Sequence, residues 1–426
     1  MQYNNILNYL NRKLLMRNQI YKKKKYIYLF FLISLLISSY LGENSSGGGK
    51  LDNFITRQFI DGFYVSFNYG IERFISSSQI HSPIFYFLIA ILEEYTSSTI
   101  VSVLYVLISF FVPVVFYIIL KKKFGKADRD KLFFLSLILF LSPYFRSSAS
   151  WVTTDNLATL FFALSLSKYL SVKKYNKFKD YLICFTYLII ATYVRQYYAI
   201  FFLFYAIQVF KFLDCKKIII LTSYSLALFI PFLIYYYLFI QQSYSYAVAT
   251  PSPLKINLIN NILIFFSLYF FYLAPFYFDK IFKFQFTKIK NLFFYLVSFL
   301  LFLSISLYDP VILISYGGGV FYKISEIVNF KYLFYITVFF GYILISKNFN
   351  RNNLIIYFCI IFAFPFAIIY QKYFDPMLIL SIVALTKSDK FNKIIDSNKI
   401  NAKLVFIYYF LFWIASNFYY LKLNTL

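Results

Sequence analysis

The chain is built from apolar blocks of roughly 12–22 residues separated by short polar turns, and this alternation leaves few folds open. A run of about twenty apolar residues crosses a bilayer as a helix, and within lipid the backbone must satisfy its own hydrogen bonds. About thirteen blocks can be marked, at 26–41, 99–120, 132–143, 155–171, 181–194, 197–213, 218–240, 258–277, 291–308, 332–346, 353–370, 375–386 and 404–420. The shortest, 132–143 and 375–386, borrow flanking residues to cross. Charged residues make up 14% of the chain and hydrophobic ones 61%; a soluble protein carries about 25% charged. No stretch remains that could hold a soluble core of its own. The expected fold is all-α and polytopic, a single membrane domain over 1–426 with about thirteen transmembrane helices.

Alternating crossings divide the polar turns between two faces, and Lys and Arg should collect on the cytoplasmic one. About three-quarters of the 42 fall on the N-terminal side, beginning with the basic segment 1–25. Acidic residues divide more evenly, so the formal charge of +25 sits on that side. A charge excess explained by topology calls for no nucleic-acid partner. The N-terminus is accordingly placed in the cytoplasm. Tyr26–Leu41 reads as a retained signal anchor, because Ser38-Ser39-Tyr40-Leu41 offers no small-x-small cleavage site; the nearest such pattern, which would make the block a cleaved signal peptide, lies in Ser45–Gly49. The expected location is an integral, multi-pass one, in a bacterial inner or plasma membrane or a eukaryotic ER membrane. Cys184, Cys215 and Cys359 are far apart and suggest neither a disulfide framework nor a CxxC metal pair.

The longest polar interval, 42–98, follows the first block and forms the first extracytoplasmic loop; 99–420 is the remaining bundle. The loop carries Glu43, a Gly47-Gly48-Gly49 turn, Asp52, Asp61, Glu72 and the only histidine, His81. Pro83–Leu92 is apolar but too short to cross and reads as an interfacial helix, with Pro83 in its first turn and Ser82 or His81 near its cap. Asp52 precedes an apolar-periodic stretch and is either a helix N-cap or a carboxylate able to take a proton from a hydroxyl. Asp61 is a second such candidate, and Glu43 marks the interface. Asp155 re-enters the apolar region either as a helix cap or as a charge needing a partner, for which Arg146 is available. Arg195 and Gln196 join two blocks with almost no loop; Arg195 either grips a phosphate or carboxylate or snorkels. Lys372 either snorkels or meets a lipid-linked phosphate, and Asp375 before Pro376 reads as a helix cap. Gly317–Gly319 is a hinge or lid at most. All these residues fall on the extracytoplasmic face, whereas the Lys121–Lys123 and Lys173-Lys174 turns are cytoplasmic anchors.

The layout resembles the GT-C superfamily of polyprenyl-phosphate-sugar-dependent glycosyltransferases. Asp52 early in a long first outer loop, then His81-Ser82-Pro83 opening an interfacial helix, is similar to that family's acidic motif and His-Pro-Pro-like element. Ser142-Pro143 through Asp155-Asn156, followed by Val194-Arg195-Gln196, looks like the dolichyl-phosphate-glucose alpha-1,2-glucosyltransferase group and its bacterial relatives. Lys372-Tyr373-Phe374-Asp375-Pro376 is similar to a late Arg-Tyr-x-x-Pro element. The usual Asp-Glu pair is Asp52-Asn53 here, and Ser82 stands in place of the first Pro.

The resemblance implies a polyprenyl-phosphate sugar as donor and a lipid-linked, glycan or protein acceptor, with inversion at the anomeric carbon. Asp52 is then the base, with Asp61 and Asp155 as alternates. Arg195, Gln196, Lys372 and Arg146 hold the donor phosphate. His81, Tyr373 and Asp375 serve the acceptor or the frame of the site. No dedicated metal ligands stand out, although Asp52 with a second carboxylate offers a place for a divalent Mg or Mn ion. The alternatives are a transporter or flippase, and a polymerase or ligase of lipid-linked saccharides.

Overall fold

The computed structural model describes residues 23–76, 82–235, 237, 258–281, 296, 300, 318–364, 370–387, 389–396 and 401–424. Every regular element among them is helical. In chain order they are α1 (Lys23–Leu41), α2 (Gly49–Val65), α3 (Phe67–Ser76), α4 (Ile84–Tyr95), α5 (Ser98–Lys123), α6 (Arg129–Ser136), α7 (Pro143–Ser150), α8 (Thr154–Tyr175), α9 (Phe178–Val194), α10 (Phe201–Phe212) and α11 (Cys215–Tyr235). Then follow α12 (Leu258–Ile281), α13 (Val320–Ile327), α14 (Tyr332–Lys347), α15 (Arg351–Phe362), α16 (Gln371–Phe374), α17 (Met377–Leu385), α18 (Asp389–Asp396) and α19 (Ala402–Asn424). Part of 218–240 and nearly all of 291–308, together with His81 and Gly317, lie outside the described residues.

Four of the described helices are long and apolar enough to cross a membrane: α1, α5, α12 over Leu258–Tyr277, and α19 over Ala402–Leu421. A fifth crossing arises if Arg129–Leu141 and Pro143–Ser150, which meet at 62°, act as one bent span. The chain is thus a membrane-embedded, all-helical protein. The bend has a local cause. Pro143 cannot donate a backbone hydrogen bond, and the α6 helix tightens into a 3-10 turn over Leu137–Leu141 before Ser142 caps α7 by accepting from the Phe145 N–H. Other apolar blocks form shorter or more polar helices. In α8 the buried side includes Asn156, Thr159, Ser165 and Ser167, so that helix faces protein rather than lipid.

Helices α5, α8 and α9 form the centre of the bundle. α5 and α8 run in the same direction: the Tyr105 hydroxyl donates to the Thr153 carbonyl near their starts, and Lys122 reaches Ser167 and Ser171 near their ends. α9 returns, which brings Arg195 back to the Asp155 end. Lys121–Lys123 and Lys173-Lys174 therefore stand at one end of the bundle, and Asp155 and Arg195 at the other. The end that gathers the acidic and arginine side chains is roofed by α2, α3 and α4, which pack through Phe59, Phe74 and Tyr86 and are tied by an Arg57–Glu93 ion pair.

The roof begins farther upstream than the sequence suggested. The α2 helix starts at Gly49, with Gly48 at its N-cap, and Asp52 lies inside the first turn instead of capping it. The start is fixed by close packing. A Cβ on Gly49 would lie 2.1 Å from Ser147 Oγ, and Gly47 adopts φ +78 against the Tyr420 ring. A helix does follow His81-Ser82-Pro83: it is α4, with Pro83 at its N-cap and Ser82 Oγ accepting from the Ile84 N–H.

Candidate functional site

Two ion pairs stand where the roof meets the bundle end. Lys372 Nζ lies 2.9 and 2.7 Å from the two oxygens of Asp52. Arg195 Nη2 lies 2.8 Å from Asp155 Oδ1. The pairs draw on four separate parts of the chain: the first turn of α2, the first turn of α8, the residue that ends α9, and the four-residue helix α16. They also act on one another. Both Asp155 and Asp52 contribute to the field that holds Arg195 charged, and both do so at Lys372. Tyr86 from α4 and Tyr197 from the turn after α9 feel the same charges. The site is therefore a compact set of two carboxylates and two cations walled by tyrosines.

Its members are sheltered but not sealed. The side chains of Asp52 and Lys372 are 27% and 24% exposed, and those of Asp155 and Arg195 are 17% and 11%. The Asp52–Lys372 pair is the more open of the two. Burial on its own would lower the Lys372 pKa, but Asp52, Tyr373 and Asp155 together outweigh that effect and hold it above the usual lysine value. The ammonium is charged throughout the neutral range. Tyr373, beside it, stacks on Phe364, and Gln196 opens the 3-10 turn that follows Arg195.

The short helix carrying Lys372 is clamped at both ends by one hydroxyl. Tyr272 of α12 donates to Asp375 Oδ2 at 2.6 Å and accepts from Gln371 Nε2 at 3.1 Å. Ser142 donates to the other Asp375 oxygen at 2.7 Å, and the Val320 N–H donates to Gln371 Oε1 at 2.8 Å. Asp375 is thus not the cap expected for the helix after it. Pro376 occupies that N-cap position, and Asp375 turns inward to Ser142 and Tyr272. Removing the clamp has a definite consequence. Tyr272→Phe leaves buried Asp375 short of one donor and should cost about 1–3 kcal/mol. Lys372 should then react faster with an amine-acylating reagent, read by peptide mapping; unchanged labelling would show that α16 is held without Tyr272.

Arg146 does not pair with Asp155. It lies apart, buried against Glu43, with Nε 3.0 and 3.1 Å and Nη2 2.8 Å from the carboxylate oxygens. Trp413 donates to Glu43 Oε1 at 2.9 Å, and its ring lies 4.8 Å from the Arg146 guanidinium carbon. Burial would raise the Glu43 pKa, but the Arg146 fork with Ser38 and Trp413 holds it below the usual value. This second pair ties α1, α7 and α19 together and takes Arg146 out of the group expected at the site. Glu43 is more than the interface marker that its position suggested. Asp61 is also set apart. Nine residues beyond Asp52 on the same helix, it falls on the opposite face and is exposed.

Asp52, Asp155, Arg195 and Lys372 are thus brought together, with Gln196 and Tyr373 adjacent, Asp375 one layer behind, and Arg146 and Asp61 elsewhere. Sequence reasoning read Glu43 only as an interface marker and passed over Tyr272 and Trp413. A tyrosine inside an apolar helix looks like packing, and only the fold shows Tyr272 meeting Asp375. Among the described residues no three His, Cys, Asp or Glu side chains gather. The two carboxylates of the site each face a cation, and this donor set does not fit a resident Mg or Mn ion. Comparison with models of protein families, with curated proteins and with solved structures returns no match.

Proposed function

We propose that the chain crosses the membrane about thirteen times with its N-terminus in the cytoplasm, and that it is a glycosyltransferase working at the extracytoplasmic face. It moves a sugar from a polyprenyl-phosphate donor to a lipid, glycan or protein acceptor. One observation carries the reading: a carboxylate and a lysine in direct contact, backed by a second Asp–Arg pair, at the bundle end opposite the lysine turns.

The pair joins two functions that such a reaction needs. In the resting protein Lys372 is paired with Asp52. The phosphate of a donor competes for the ammonium, and its arrival frees Asp52 to face the acceptor hydroxyl. The acceptor oxygen attacks the anomeric carbon, and the bond from that carbon to the phosphate oxygen breaks. The electron pair leaves on the phosphate, where Lys372 and Arg195 offset the growing charge. The acceptor proton passes to Asp52. Attack opposite the leaving group inverts the anomeric centre. Tyr86, Tyr197 and Tyr373 supply aromatic and hydroxyl surface beside these groups.

The test is a transfer assay on the purified protein in detergent. Radiolabelled polyprenyl-phosphate sugars are offered with a membrane-lipid extract. Label should move to a new product as polyprenyl phosphate is released. No release from any donor, together with movement of a labelled lipid-linked saccharide across a proteoliposome bilayer, would replace this reading with a flippase.

A further inference from the structure

Helices α1 and α19 leave a half-open cavity of about 750 Å³ between them. Both are apolar enough to cross a bilayer, so the opening between them is presented to lipid. Ile33 and Ile37 of α1 and Trp413 and Leu421 of α19 make the walls apolar. At one end the lining becomes charged, with Glu43, Lys50 and Arg146. Arg146 and Glu43 neutralise each other through their buried fork. Lys50 is exposed and pairs with no carboxylate among the described residues. The charged end therefore keeps one uncompensated positive charge above an apolar slot.

We infer that this cavity binds an anionic glycerophospholipid, with the headgroup phosphate at Lys50 and an acyl chain against the α1–α19 wall. The volume lies within the range of ligand sites, about 300–1,000 Å³, and is open enough for the rest of the lipid to remain in the bilayer. The charge balance selects an anionic headgroup, because a zwitterionic one would bring a second cation to an end that already has one to spare. Lys50 and Asp52 are two residues apart in the first turns of α2 and point to nearly opposite sides. A lipid at Lys50 would thus brace the turn that carries Asp52 without entering the Asp52–Lys372 pair. The inference does not rest on the glycosyltransferase reading.

The test uses intrinsic fluorescence, since the chain has two tryptophans, Trp151 and Trp413. Full-length protein in detergent is titrated with brominated phosphatidylglycerol or brominated phosphatidylcholine, and quenching is followed. Half-quenching should need an about five-fold lower mole fraction of the anionic lipid, the effect of one lysine beside an anionic headgroup. Lys50→Ala and Lys50→Glu should each remove the preference; both tryptophans report, since Trp413 lines the cavity and Trp151 lies against Glu43 at its charged end. Equal curves for the two lipids in the wild type would overturn the inference. So would a preference that survives both Lys50 variants.

Discussion

Asp155→Ala should destabilise the protein by about 3 kcal/mol, the lower end of what is lost when one partner of a buried ion pair is removed. The lower end applies because the two side chains keep 17% and 11% exposure, so some water reaches them. The cost arises on the arginine. Arg195 cannot give up its proton, and without Asp155 its charge lies at the end of α9 with its closest carboxylate gone. The measurement is thermal unfolding in detergent of Asp155→Ala, Arg195→Gln and the double variant Asp155→Asn with Arg195→Gln. The double variant should recover most of the loss, since it leaves no lone charge behind. A double-variant loss equal to the sum of the two single losses would mean that the pair carries little coupling and that α8 and α9 are joined by packing alone.

This pair also marks how much of the molecule could be read from the chain. That Asp155 needs a partner followed from its place at the rim of an apolar block, because ionisable groups there are costly. Which partner it has did not follow. Arg146 lies nine residues before it in sequence and Arg195 lies forty after it, yet α9 returns to the same bundle end and brings Arg195 within 2.8 Å. Arg146, on the short helix after the Pro143 bend, meets Glu43 instead. That the chain is helical and apolar, and that a helix follows Ser82-Pro83, was legible because hydrophobic length and proline are local signals, but only four or five of the described helices are long and apolar enough to cross. The start of α2 at Gly49 was not legible. A glycine run reads as a flexible turn, and only its close packing against Ser147 and Tyr420 shows why it stays ordered. Tyr272 was hidden for a similar reason, since nothing in the α12 sequence distinguishes a tyrosine that packs from one that holds Gln371 and Asp375 together.

Asp52→Asn should lower sugar transfer about 10²- to 10⁴-fold while leaving the protein folded, the range for loss of a positioned general base. The asparagine keeps the shape of the side chain and can still accept from Lys372 through its oxygen, but it cannot take up a proton. Lys372 is about a quarter exposed, so water covers part of what its ammonium loses. The unfolding temperature should therefore move much less than in Asp155→Ala, and this contrast separates a chemical role from a structural one. Lys372→Gln gives the complementary readout. It leaves Asp52 in place and removes the charge proposed to meet the donor phosphate, so under the proposed reaction the donor KM should rise as turnover falls. If Asp52→Asn keeps full transfer with the same dependence on pH, the base is another group. Asp155 would be the next to test, because it is the second carboxylate of the same cluster, whereas Asp61 is exposed on the far face of α2.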